Sequence, residues 1–242
     1  MPWTPTEIAY GIRHSRLFGF LGRAGDAIDA VLALQGTGNI PRKCFTKVGW
    51  PEPVTAMLID EDENYRLTFN IDGIVLVVKL SEVQLTVAQA RDMFIDVVNA
   101  GLRLTSPSRK INRIGIVETY DFPRVHRPGE IAASALTRLG DIGEPTDFMF
   151  RSAFRRSPGP PGSDWQNTIL QVAAVKTDED ADEADTLRVS IDYQHYFVPE
   201  VVFTNELARH HYSDFYRRAE ALQGNQLAGL EVREPALGHR NG

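Results

Sequence analysis

Apolar and polar residues alternate along one segment after another of this chain: AMLID (56–60), YRLTFNI (65–71), IVLVVKL (74–80), KINRIGIVETYDF (110–122), WQNTILQVAAV (165–175) and TLRVSIDYQHYF (186–197). A period of two places alternate side chains on opposite faces, so these segments predict strands with one buried and one wetter face, the habit of antiparallel sheets. IAYGIRHSRLFGFLG (8–22) also reads as a strand, and in TDFMFRSAFRR (146–156) Phe148, Phe150 and Phe154 alternate with Arg151 and Arg155. Between YRLTFNI and IVLVVKL, Asp72-Gly73 predicts a hairpin with a primed two-residue turn, where glycine supplies a positive φ.

Helical spacing punctuates the strands. GDAIDAVLALQG (25–36) sets Ile28, Val31, Leu32 and Gln35 on one face and stops at Gly36. Thr86 with Gln89 forms a capping-box start for a helix that aligns Ala90, Phe94, Val97 and Val98 and ends at Gly101. GEIAASALTRLG (129–140) reads as a short helix, and a closing helix from Thr204 aligns Leu207, His211, Phe215 and Leu222. The chain therefore reads as α+β, with antiparallel sheets carrying helices on one face. Each half runs helix, three strands, helix, which predicts two similar halves, with tandem ferredoxin-like units as the candidate arrangement. The expected organisation is 1–122 as the N-terminal half, 129–230 as the C-terminal half packed with it as one unit, and 231–242 as a flexible tail. The boundary is the proline-marked PRVHRPGE (123–130).

With 242 residues, 43% of them hydrophobic, the chain can bury a sizeable core. Its net charge of −6 arises from 32 acids against 26 bases. Six of those acids sit in Asp178–Asp185, and outside this run the charges balance, so nothing global points to nucleic acid or anionic membrane. The single cysteine, Cys44, rules out an intramolecular disulfide and predicts a buried small hydrophobe. No segment approaches the roughly 20 apolar residues of a membrane span, and no basic, then apolar leader opens the chain, so a cytoplasmic protein without membrane contact is expected.

Asp178, Asp180 and Asp182 match positions 1, 3 and 5 of an EF-hand loop, but Glu183 stands where glycine is needed and Val189 where a bidentate glutamate is needed. A solvated hairpin tip is the better reading. The six histidines, His14, His126, His195, His210, His211 and His239, form no H-E-x-x-H. Asp192 and His195, three apart in one strand, point to opposite faces. Nucleophile-elbow, P-loop and dinucleotide glycine motifs are absent, and of the paired H-x-[ST] signature only His211-Tyr212-Ser213 is present. Neither a cofactor nor a metal site is expected. Basic residues cluster locally at Arg42 and Lys43, at Arg109, Lys110 and Arg113, at Arg124 and Arg127, and at Arg151, Arg155 and Arg156. Loops from both halves could bring these to a phosphate backbone, with Phe148 or Phe150 as stacking surface. SPGPPGSD (157–164) reads as an exposed connector.

Asn112, Arg113 and Ile114 in a central strand, with His211 and Phe215 in a terminal helix, give the chain a pattern that resembles a sporadically distributed family of uncharacterised bacterial proteins. The resemblance implies an accessory protein of a mobile-element or defence-type system. Two functional expectations follow. The leading one is a non-enzymatic binding or accessory subunit with a protein partner, since no catalytic motif is complete. The alternative is an RNA-binding or metal-independent RNA-cleaving protein, with His14 or His195 as general base and the arginines of 109–113 and 151–156 on phosphate. Replacing the six acids of Asp178–Asp185 by Ser and Asn is expected to leave the fold intact, with the melting temperature moving by only a few degrees; loss of the cooperative melting transition would make the carboxylates structural.

Overall fold

The protein is described by a computed structural model at residues 3–16, 20–106, 108–123, 125–136, 148–157, 159–160, 162–176, 184–225, 227 and 230. In chain order the elements are β1 (Glu7–Arg13), α1 (Phe20–Leu32), β2 (Lys47–Glu52), β3 (Thr55–Ile59), β4 (Tyr65–Asn70), β5 (Gly73–Lys79) and α2 (Val87–Thr105), then β6 (Lys110–Phe122), α3 (Pro128–Leu136), β7 (Met149–Arg156), β8 (Trp165–Val175), β9 (Thr186–Val202) and α4 (Asn205–Asn225). The strands form one nine-stranded antiparallel sheet in the order β2-β3-β4-β5-β1-β6-β9-β8-β7.

In chain order the elements fall into two runs, β1 to α2 and β6 to α4. β1 pairs with β5, the last strand of the first half, and β6 pairs with β9, the last strand of the second; β1 and β6 then pair with each other. β6, assigned to the first half by sequence, thus holds in the second half the place that β1 holds in the first. Each unit runs strand, helix, meander, helix. The β-α-β-β-α-β order of a ferredoxin-like unit is found in neither.

One face of the sheet is dry. Ile8, Tyr10 and Ile12 of β1, Ile114, Ile116 and Tyr120 of β6 and Val189, Ile191 and Tyr193 of β9 are buried at alternate positions. They meet the helices: Tyr10 stacks on Phe94 of α2 and meets Tyr212 of α4 edge-on, and Tyr193 stacks on Phe215 of α4. Tyr10 donates to the Val87 carbonyl at 2.9 Å and shares a short hydrogen bond with Tyr216. Truncating one such buried aromatic to alanine costs about 3–5 kcal/mol. A polar chain crosses this core: the Trp3 N–H donates to Gln223, the Gln223 amide to the Tyr120 hydroxyl and that hydroxyl to Glu118. Burial pushes the Glu118 carboxyl up to about 7. Cys44 is buried as expected, and burial raises its thiol to about 12.

Several local expectations change. The first strand ends at Arg13, and FLG belongs to α1, because the helical spacing of buried Ala24, Ala27, Ile28 and Val31 begins upstream of the predicted start. β2 lies in the proline-rich loop; it is an exposed edge strand, where Pro51 removes no interior ladder bond. The Thr86 capping box is present, but α2 runs past Gly101, which is there because the Phe69 ring would lie 2.7 Å from a Cβ. On α4 the buried stripe is Ala208, Tyr212, Phe215 and Ala219, with His211 on its flank. The acidic run connects β8 to β9, whose ends pair as Val175↔Thr186, so strands and not EF-hand helices flank it; residues 177–183 and the expected tail 231–242 lie outside the described residues.

The β4–β5 hairpin forms, but around Ile71-Asp72, with Asn70 paired to Gly73. None of Ile71, Asp72 and Gly73 has a positive φ; the Asn70 side chain accepts from the Asp72 N–H at 2.9 Å and closes the turn. Gly73 is needed for another reason, since a Cβ there would collide with the Ile12 carbonyl of β1. Gly73→Val is therefore expected to lower unfolding stability in urea by about 1–3 kcal/mol through overpacking; an unchanged midpoint would contradict the close approach of β5 to β1.

Candidate functional site

The second face of the sheet has no described helix over it. Its residues are those that alternate with the core: Arg13 on β1, Arg113 on β6, Asp192, Gln194 and Tyr196 on β9, Trp165 and Asn167 on β8, and Met149, Arg151 and Arg155 on β7. Val75 and Met149 on this face are 39% and 67% exposed. The predicted alternation of β7 holds: Phe150 packs towards the core while Arg151 and Arg155 point away from it. Phe148 also packs against the core, so neither ring offers the stacking surface expected of it.

At one end of this face a row of side chains crosses the strands. Register places Arg13 opposite Arg113, Arg113 opposite Tyr196, and Tyr196 opposite Trp165. Trp165 and Tyr196 stack with ring centroids 3.6 Å apart and planes 7° apart. The Arg155 guanidinium lies 3.9 Å from the Trp165 centroid, and Arg113 lies 5.6 Å from that of Tyr196 and donates to its hydroxyl at 3.2 Å. Strand order puts the two guanidiniums on the outer sides of the ring pair, so each ring face is already covered. Tyr196 donates on to Gln194, and Gln194 donates to Asp192. Asp192, half-buried, has its carboxyl raised by desolvation against the pull of Gln194, Arg113 and Arg151.

Among the described residues no carboxylate lies within ion-pair distance of Arg13, Arg113, Arg151 or Arg155. Like charges directly opposite on a sheet destabilise it by roughly 0.2–1 kcal/mol. Arg13 and Arg113 are such a pair in register, and the Arg113 guanidinium is turned towards Tyr196.

Beside this row the sheet opens. The β6–β9 register breaks between Ile111 and Arg113, where Asn112 alone faces Phe197–Glu200 of β9, a segment that contains the cis Val198-Pro199 bond. The gap forms a cavity of about 550 Å³ lined by Arg13, His14, Ser15, Arg16, Asp72, Asn112, Trp165, Tyr196, Phe197 and Val198. Irregularities of this kind re-aim side chains and occur often beside functional sites. Asp72 is held by Arg16 at 3.5 Å, and Glu200 accepts from the Ser15 hydroxyl.

Of the two candidate histidines, His14 reaches the cavity. It is buried, its Nδ1 meets the Ser15 carbonyl at 3.0 Å, and desolvation lowers its pKa against the pull of Ser15, Asp72 and Glu200. His195 lies on the opposite, helix-covered face, 6% exposed. The Gln166 amide meets its Nδ1 at 3.2 Å and Asp164 meets its Nε2 at 3.2 Å, so both ring nitrogens are engaged. Asp164 also accepts from the Val198 N–H at 2.8 Å, which ties the start of β8 to the irregular stretch of β9. Desolvation, which would raise the Asp164 carboxyl, is outweighed by these bonds, and its pKa falls. His195 is thus a clamp within the fold. Against it packs His211, ring centroids 4.4 Å apart.

The six basic candidates divide. Arg113, Arg151 and Arg155 share the uncovered face; Arg156 falls on the other face of β7 and is exposed. Lys110 is exposed at the start of β6. Arg109, at a φ of 47°, lines a separate cavity of about 580 Å³ with Arg103, Asp96 and the start of α4. Sequence reasoning missed Arg13, Trp165 and Tyr196, whose association depends on register. Among the described residues no group of three or more His, Cys, Asp or Glu side chains could hold a metal ion, and no helix is long and apolar enough to cross a membrane. No family model matches the chain, and no curated protein matches it.

Burial, then repulsion from His195 and His210, lowers the His211 pKa to about 4. The unfolded chain, with an ordinary histidine near 6.5, binds more protons between these values, so this group's contribution is full above about pH 6.5 and is lost as pH falls towards 4. Glu118, whose raised pKa favours the protonated folded form, contributes in the opposite direction over an overlapping range. His211→Phe, which keeps the contacts with Phe197 and Phe215, is expected to remove a loss of about 1–2 kcal/mol, discounted for partial exposure, on going from pH 7 to pH 4.5. Parallel wild-type and variant curves of stability against pH would contradict this.

Proposed function

We propose that the protein is a non-enzymatic binding subunit of a bacterial multiprotein assembly, and that it holds an acidic segment of a protein partner on the uncovered face of its sheet. The observation that carries this reading is the set of four arginines that share that face, Arg13, Arg113 and Arg155 towards one end and Arg151 further along β7, with Asp192 between Arg113 and Arg151. Charge complementarity of this kind speeds encounter and selects partners. The partly exposed Val75 and Met149 extend the same face with apolar contact area. The resemblance to a sporadically distributed bacterial family suits an accessory role, in a mobile-element or defence-type system acting in the cytoplasm.

The second reading, RNA binding or metal-independent RNA cleavage, rests on His14 beside Arg13 and Arg16 in the cavity. Two features favour the protein partner over it. A single-strand binder presents open ring faces to bases, whereas Trp165 and Tyr196 face each other and their flanking guanidiniums. General acid–base cleavage also calls for a second proton-transfer group within reach, and His195 stands on the other side of the sheet with both nitrogens engaged.

Purification of the tagged protein from its native host, with native mass spectrometry and the 260/280 nm absorbance ratio, tests the reading. The expected result is a protein partner at fixed stoichiometry, lost from an Arg151→Glu, Arg155→Glu double variant and retained by Arg217→Glu on the outer side of α4. Bound nucleic acid, or a partner insensitive to the double variant, would overturn it.

A further inference from the structure

We infer that the cavity beside Arg13 and Arg113 is a site for a phosphate monoester. This goes beyond the partner reading and does not rest on it. Three observations converge. Arg13 and Arg113 are cross-strand neighbours on β1 and β6, with Cβ atoms about 5 Å apart in such a pairing, and neither has a carboxylate within ion-pair distance among the described residues. The break in the β6–β9 ladder opens a cavity of about 550 Å³ at their side, lined by Arg13 itself and within the range of small-molecule sites. The acids near it are engaged: Asp72 by Arg16, Glu200 by Ser15, Asp164 by His195 and the Val198 N–H, and Asp192, which faces Arg113, by the Gln194 amide.

Charge decides the ligand class. Arg13 and Arg16 bring two guanidiniums to the cavity wall and Arg113 stands beside it, against the one carboxylate in the lining, Asp72; a group of about −1.5 to −2 offsets the excess, which a phosphate monoester carries at neutral pH and a single carboxylate or sulfonate does not. Guanidinium geometry suits the bidentate contact, and the Asn112 amide in the cavity wall adds a donor. Its walls also include Phe197 and Val198, which suit a small apolar body attached to the phosphate. The ester is either a free small molecule or a phosphorylated side chain.

Isothermal titration calorimetry on the full chain at low salt separates these, with phenyl phosphate and a phosphoserine peptide as probes and benzenesulfonate as the singly charged control. The expected result is phenyl phosphate binding at least 10-fold tighter than benzenesulfonate, weakened at least 10-fold by Arg13→Gln and by Arg113→Gln. A phosphopeptide that binds tighter still, with the same dependence on both arginines, supports the site and assigns the ester to a protein side chain. Equal affinity for phosphate and sulfonate, or undiminished binding by either variant, overturns the proposal. Folding is read separately: ligand-free Arg13→Gln is expected to melt at or above the wild-type temperature at low salt, because it removes the repulsion. A lower melting temperature overturns the claim that the pair is held against repulsion.

Discussion

The antiparallel pairing of β1 with β6 is the interaction on which the rest of the molecule depends. Through Gly11↔Gly115 and the flanking Ile12↔Ile114, it joins the first strand of one half to the first strand of the other and makes one nine-stranded sheet from two units. On the other side of β6, Gly115 admits the close approach of β9, since a Cβ there would stand 3.0 Å from the Tyr193 carbonyl. Each half alone would expose a long strand edge at this junction, and such edges are prone to pair with other chains. The arginine row exists because of the same pairing, as Arg13 comes from the first half and Arg113 from the second.

The asymmetry of the two faces is a consequence of where the helices return. α2 covers β1 and β5 and α4 covers β6 and β9 on one side, and there the aromatic core, the Glu118–Tyr120–Gln223 chain and the His195–Asp164 clamp are assembled. Titratable groups on that side are spent on the fold. On the other side the side chains that alternate with the core are left without a described cover, and their charges face outward. The division accounts for why the histidine with the best hydrogen bonds is structural while the arginines with the fewest acid partners are the candidates for function.

Much of the fold was legible because period-two alternation survives wherever one face is buried, as in β6 and β8, whose bounds match the patterned segments. Alternation vanishes where neither face is buried, so β2 was hidden in a proline loop. Glycines misled for a related reason: Gly101 and Gly73 answer to neighbours distant in sequence, Phe69 and Ile12, and not to helix ends or turn angles. The opposite facing of Asp192 and His195 was readable from their spacing. The row of Arg13, Arg113, Tyr196 and Trp165 was not, because it draws on four strands and on registers that no local pattern specifies. Nor could sequence show that Asp164 joins His195 to the Val198 backbone.

The central claim is that this molecule works through the uncovered face of its sheet. Hydroxyl-radical footprinting of the protein in its native complex, against the free protein, tests that most directly. The account predicts protection of Met149, Trp165, Tyr196 and Val75, with the exposed side chains of α4 unchanged. Protection confined to α4 and the other helices, with Met149 and Trp165 as reactive as in the free protein, would contradict it.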